Sequence, residues 1–203
     1  MIHLERVSYW YPGSLRAAIV DVSMTIEAGE SVGVSGPNES GKSTLCMVAA
    51  GLAPAVIGGR LGGTVRTSGA PAMLFDNPSA QLTGLHSTVY EEVAFGPCNL
   101  GLTPDEARGR TESALRAVGM EQLRYRDPTR ISGGERQLVG LAGLLAMEPQ
   151  VLILDEPLSR LDDESSELVA RAILRLSALG AAMLIAEHDR QFLARVTDRV
   201  IEL

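Results

Sequence analysis

Cysteine is scarce in this chain of 203 residues: there are two, Cys46 and Cys98, far apart and without metal-ligand spacing. So few exclude a secreted disulfide scaffold, and two reduced thiols in a cytosolic protein are expected. Positive charge is in deficit as well, with 18 Lys and Arg against 25 Asp and Glu and a net charge of -7. A nucleic-acid binder carries a basic face, so no nucleic-acid partner is expected. Long hydrophobic runs are missing. The longest, LCMVAAGLAPAVIGG, is broken by Gly and Pro and falls short of the ~20 residues of a membrane helix. The start, MIHLERVSYW, puts acidic and polar residues where a signal peptide needs an apolar stretch. No internal repeat, low-complexity tract or interdomain linker divides the sequence.

What is present is an alternation of short strands and helices. SVGVSG (31–36) reads as an apolar strand ending in Gly, and KSTLCMVAAGL after it has helical spacing. VLILD (151–155) and AAMLIAEH (181–188) are continuous apolar runs, as in strands buried on both faces. Between them DESSELVARAILRLSALG (163–180) is amphipathic, with acidic residues at its start and Gly180 at its end. A short helix near DRQFLARV and a last strand, RVIEL, follow. This order predicts a parallel α/β sheet with right-handed crossovers. The first 30 residues show shorter alternation and predict an antiparallel sheet. Residues from about 84 to 147 are mostly helical and predict a helical subdomain inserted into the α/β core.

Three motifs carry chemistry. GPNESGKST (36–44) fits the phosphate-loop pattern, in which backbone N–H groups and a helix N-terminus converge on phosphate oxygens. The loop comprises Gly36, Pro37, Asn38, Glu39, Ser40, Gly41, Lys42, Ser43 and Thr44. Lys42 is suited to the β- and γ-phosphates and the Ser43 hydroxyl to Mg²⁺. VLILDEP ends a buried strand in two carboxylates: Asp155 is placed to hold Mg²⁺, and Glu156 to orient and deprotonate an attacking water. ISGGERQ (131–137) offers a second anion-binding helix start through Ser132, Gly133, Gly134 and Glu135. Taken alone, this third motif reads more readily as an ordinary N-cap with a glycine turn.

Phosphate loop, SGGE, LDEP, SRLD (159–162) and AEHD (186–189), in this order, resemble the ATP-binding cassette (ABC) ATPases over essentially the whole chain. The resemblance implies a phosphate-loop NTPase core of ABC type, with an N-terminal antiparallel β subdomain and an inserted helical subdomain, forming one ATPase domain over residues 1–203. It implies a head-to-tail dimer, of identical or different cassettes, with each ATP held between one protomer's phosphate loop and the other's SGG segment. His188 is then the switch histidine at the γ-phosphate, Asp162 lies in the loop crossing between protomers, and Tyr11 resembles the aromatic that stacks on adenine.

LFDNPSAQLTGLHSTVYEEVAFGPCNLGLTP (74–104) narrows the resemblance to the energy-coupling-factor transporter ATPases, which drive vitamin or cobalt/nickel uptake. That implies a transmembrane coupling subunit, a substrate-binding membrane component, and a peripheral place on the cytoplasmic face of the cell membrane. A short coupling helix of the membrane subunit is expected on this surface. The sequence also departs from the family. Asp76 stands where a Gln usually senses Mg²⁺ and water; it can coordinate the ion but cannot donate a hydrogen bond. Glu135 stands where Gln is commoner. Glu39 occupies a position often held by Gly, which predicts a left-handed backbone strained by about 1 kcal/mol, with the carboxylate turned outward. The chain ends at RVIEL without the extension many relatives carry, so either the extension is absent or this is one cassette of a longer polypeptide.

Overall fold

The computed structural model describes residues 1–77 and 80–203. The chain divides into two compact units: Met1–Met73, Gln150–Glu156 and Ser177–Leu203 form the first, and Leu74–Pro149 with Pro157–Leu176 the second.

The first unit holds both sheets, apart from Leu74. Strands β1 (Ile2–Trp10), β2 (Ile19–Ile26) and β4 (Arg60–Thr67) form an antiparallel sheet in the order β2-β1-β4. Ile2, Leu4, Val7 and Tyr9 of β1 turn inward, and polar residues lie between them. That alternation is what makes the antiparallel reading possible from sequence. The third strand was not expected. RLGGTVRT shows neither strict alternation nor an apolar run, and all its residues are exposed or half-buried. It is a strand because β1 offers its second edge, pairing Ile2 with Thr67 and Glu5 with Thr64. Gly63, at a φ of 81°, fits where an added Cβ would lie 2.3 Å from the Arg6 carbonyl.

The second sheet runs β5 (Ala72–Leu74), β6 (Val151–Asp155), β7 (Ala182–Ala186), β3 (Ser31–Ser35), β8 (Arg199–Glu202). The pairs β6/β7, β7/β3 and β3/β8 are parallel. Every residue of β3, β6 and β7 is buried, the burial expected of parallel strands covered on both faces. Helix α1 (Lys42–Ala49) packs on β6, β7, β1 and β4 through Leu45, Cys46, Val48 and Ala49. Helix α6 (Arg190–Val196) covers β3 and β8, its first N–H groups capped by the Asp189 carboxylate.

The second unit is built on helices α2 (Val89–Asn99), α3 (Pro104–Ala117) and α4 (Gly133–Ala146), packed on one another. Each opens with a capping box: Thr88 with Glu91, Thr103 with Glu106, Ser132 with Glu135. Each box joins two orphan N–H groups to side-chain acceptors, so three helix starts are written in the local sequence. Helix α5 (Asp163–Ala178) has Val169, Ala170, Ile173 and Leu176 on its buried stripe.

Candidate functional site

The parallel register brings distant residues to one end of the sheet. Val34 of β3 pairs with Ala186 of β7, and Ala186 pairs with Asp155 of β6. The chain leaves the sheet at or just beyond these pairs, so the loop from Gly36, the Asp155–Glu156 pair and His188 all lie at the strands' carboxyl ends. Ligands of open α/β sheets bind there.

The loop's shape explains its glycines. At Gly41 φ is 102°, and an added Cβ would lie 2.5 Å from the Ala18 carbonyl oxygen. At Gly36 it would lie 2.7 Å from both the Leu203 carbonyl oxygen and Ser40 Oγ. Glu39 is exposed and has the left-handed φ of 64° anticipated for it. Lys42, only 5% exposed, donates from Nζ to the carbonyls of Gly36 at 2.9 Å and Pro37 at 3.0 Å. It forms no ion pair with a carboxylate among the described residues. A buried ammonium with carbonyls alone is a strong anion attractor. Ser40 Oγ is buried without a hydrogen-bond partner, a second donor left over in the loop.

Ser43 Oγ donates to Asp155 Oδ1 at 3.0 Å, and Asp155 is 3% exposed. These are hard oxygen ligands of the kind Mg²⁺ takes. No cluster of three or more His, Cys, Asp or Glu forms a complete metal cage among the described residues. Mg²⁺ keeps several waters and binds through one or two protein oxygens plus phosphates, and Ser43 and Asp155 supply such oxygens. Residues and ion fit.

Glu156 is half-buried, with a left-handed φ of 48°, and its N–H is tied to the Ala186 carbonyl at 2.9 Å. A left-handed non-glycine residue is strained. Here the strain turns the chain out of the strand so that Glu156 lines the cleft rather than continuing into the sheet. The cleft, about 940 Å³, is bounded by Tyr11, Arg16, the loop residues from Pro37 to Thr44, and Glu156. Tyr11 hydroxyl and Thr44 Oγ1 share a 3.0 Å hydrogen bond, and the Tyr11 ring meets Tyr9 edge-on at 5.1 Å. Arg16 on the rim was not singled out from sequence, because it lies in no motif, and Cys46 behind the loop was read there only as a reduced thiol. Burial pushes the Cys46 thiol up, and the charge of Asp155 adds to it.

Thus Tyr11, residues 36–44, Asp155, Glu156 and His188 all belong to the first unit. Ser132, Gly133, Gly134, Glu135 and Asp76 belong to the second. In that unit Ser132 Oγ accepts from Glu135 N at 3.1 Å while Glu135 Oε2 accepts from Ser132 N at 2.6 Å. The Glu that replaces Gln therefore completes the cap of α4. Gly134 lies against the Arg160 carbonyl, 2.9 Å from where a Cβ would stand. Asp76 is exposed just past β5. Pro78 and Ser79 of the LFDNPSAQ stretch lie outside the described residues. Asp162 Oδ1 accepts from Ser165 N at 2.8 Å at the start of α5. No helix among the described residues is long and apolar enough to cross a membrane.

A doubly bounded parallel sheet with a glycine-held anion loop and a Ser–carboxylate pair at its carboxyl edge defines a phosphate-loop nucleotide-binding protein. The ABC transporter family profile matches residues 19–159, and the chain belongs to the ABC transporter ATP-binding family. It is 39% identical to the energy-coupling factor transporter ATP-binding protein EcfA of Methanothermobacter thermautotrophicus, over 100% of this chain and 68% of that protein. Its fold is shared with cbiO1 of Clostridium perfringens, part of the cbiONQ transporter complex, at a TM-score of 0.81 and 29% identity, covering 99% of this chain and 83% of that one. It is shared also with the dimeric ABC transporter cassette MJ0796, at a TM-score of 0.84 and 25% identity, over 100% and 94% of the two chains.

Proposed function

We propose that this chain is the Mg²⁺-dependent ATP-hydrolysing subunit of a membrane importer of the energy-coupling-factor type, acting on the cytoplasmic face of the membrane as one of two head-to-tail cassettes. The observation that carries it is the cleft lined by Lys42, which is held by backbone carbonyls alone, by Ser43 with its bond to Asp155, and by Glu156. Lys42 exchanges its two carbonyl partners for β- and γ-phosphate oxygens, and the loop N–H groups hold the rest of the triphosphate. Ser43 and Asp155 would hold Mg²⁺, and the ion would supply neutralising charge for the phosphates. Glu156 takes the proton of the attacking water, and His188 stands at the γ-phosphate end. Tyr11 offers its ring to the adenine. The start of α4, Ser132 to Glu135, caps the γ-phosphate held by the partner cassette, a role supported by the dimeric state of the MJ0796 cassette.

The transport half of the reading draws on the EcfA and cbiO1 relatives and on a groove in the second unit. This cavity of about 410 Å³ is lined by Phe95, Leu100, Val139, Leu144 and Met147, with Glu92 among them. Phe95 and Leu100 are 41% and 53% exposed. An open apolar groove of this kind suits one face of a short amphipathic helix, here the coupling helix of a membrane subunit. Thr83 is anchored to Glu92 through both its N–H and its hydroxyl, which fixes the groove's wall.

Purified chain is assayed for ATP binding and Mg-ATPase with Glu156→Gln alongside. Binding is retained and turnover falls at least about 100-fold, the loss of a general base. Unchanged turnover in Glu156→Gln overturns the hydrolytic assignment. Affinity purification from the source membrane that yields only ribosomes or nucleic acid overturns the transport assignment.

A further inference from the structure

Directly beneath His188 lies a carboxylate that the motifs leave without a task. The Glu187 side chain is 0% exposed, whereas that of His188 is 68% exposed. Glu187 Oε1 accepts from His188 Nδ1 at 2.7 Å and from the His188 backbone N–H at 2.7 Å, with a longer contact to Asp189 N at 3.5 Å. Its own N–H is fixed to the Val34 carbonyl at 3.1 Å, one strand across and two residues before the phosphate loop. Burying a carboxylate is costly unless hydrogen bonds compensate, and these bonds converge on one short stretch, the turn that carries His188. An acceptor-only oxygen at Nδ1 keeps the proton on that nitrogen.

We infer that Glu187 is a positioning residue for His188: it holds the Nδ1–H tautomer and the ring's direction, leaving Nε2 as the one nitrogen offered to the nucleotide and its water. This rests on the reading of His188 given above. A free imidazole turns about its bonds and favours the opposite tautomer, so without Glu187 the ring meets the phosphate end in a mixture of forms. The loss is on the scale of a hydrogen bond to a charged group, about tenfold in rate.

The decisive measurement needs no nucleotide. The full chain, labelled with ¹⁵N-histidine, is studied by NMR above the pH where imidazole titrates, with His188 identified by its absence from His188→Gln. Predominant Nδ1–H in the native chain, shifting toward Nε2–H in Glu187→Gln and further in Glu187→Leu, supports the inference. Predominant Nε2–H in the native chain overturns it, whether or not either variant folds. In turnover, Glu187→Gln lowers kcat about tenfold with KM held within about twofold, and costs nothing more in the His188→Gln background. A further loss there overturns the coupling. If His188→Gln alone leaves kcat unchanged, the role of His188 fails and the inference loses its link to the reaction. The tautomer data then still decide whether Glu187 holds the ring, so the two failures are told apart.

Discussion

Ser43 Oγ and Asp155 Oδ1 stand 3.0 Å apart across 112 residues of sequence. One is the first-turn hydroxyl of α1 and the other the last residue of β6, and α1 packs directly on β6. This contact closes the phosphate loop onto the sheet before any ion arrives. In Ser43→Ala the Asp155 carboxylate loses that donor, and the proposed Mg²⁺ site loses one of its two oxygens. ATPase activity is expected to fall at least about tenfold, with the midpoint of a Mg²⁺ titration moved to higher concentration. Nucleotide binding measured in EDTA changes far less. An unmoved Mg²⁺ midpoint contradicts the site.

Glu39 occupies a left-handed backbone, at a φ of 64°, on the phosphate-facing loop. In Glu39→Gly, relief of the roughly 1 kcal/mol of left-handed strain is partly cancelled by the added freedom of the unfolded chain, about 0.4–1 kcal/mol. Thermal stability therefore changes little, whereas ATP affinity rises because a negative charge leaves the rim. The affinity gain shrinks with added salt, since exposed charges are screened. Isothermal titration at two salt concentrations checks it.

Gly134 has a Cβ vector aimed at the Arg160 carbonyl oxygen, 2.9 Å away, with Leu161 Cδ2 at 3.3 Å. In Gly134→Ala the backbone of one segment has to shift. Isolated ATP binding at the phosphate loop is expected to persist, while ATP-driven dimerisation of the Glu156→Gln variant weakens. Light scattering with and without ATP gives the readout, and undiminished dimer in the double variant contradicts the assigned role of α4.

The two thiols separate by environment. Cys46 is buried, and desolvation followed by the Asp155 charge pushes its pKa well up, while Cys98 is exposed. A raised folded pKa means the native state keeps a proton that the unfolded chain releases. The associated stability is complete below the unfolded thiol value, about 8.5, and is lost as pH rises above it. Mass spectrometry after brief alkylation at pH 8 is expected to find Cys98 modified and Cys46 untouched, with Cys46 reacting only in denaturant. In Cys46→Ala the alkaline fall in stability is smaller.

The phosphate loop, the strand ending in Asp155 and Glu156, and the cap of α4 were legible because their causes are local. Glycine at a left-handed turn, an apolar run of five, and a Ser or Thr three residues before Glu each act over a few residues. The third strand of the antiparallel sheet was not legible. Arg60–Thr67 gains its conformation from the free edge of β1, and its own pattern carries almost no signal. Glu187 was hidden for a related reason. A Glu after an apolar run reads as a strand end facing water, and only the sheet register reveals that it is buried beneath His188.

The sequence by itself determined which residue types stand at the short spacings that the proposed chemistry needs, a phosphate loop and a strand ending in two carboxylates. The tertiary structure decided the company those residues keep. Parallel pairing of β6, β7 and β3 sets Asp155, Ala186 and Val34 in register, and so gathers segments more than a hundred residues apart at one edge. It also decided which charges are stripped of water, Lys42 and Glu187 among them. Burial is a property of the packed core, and no stretch of sequence contains it.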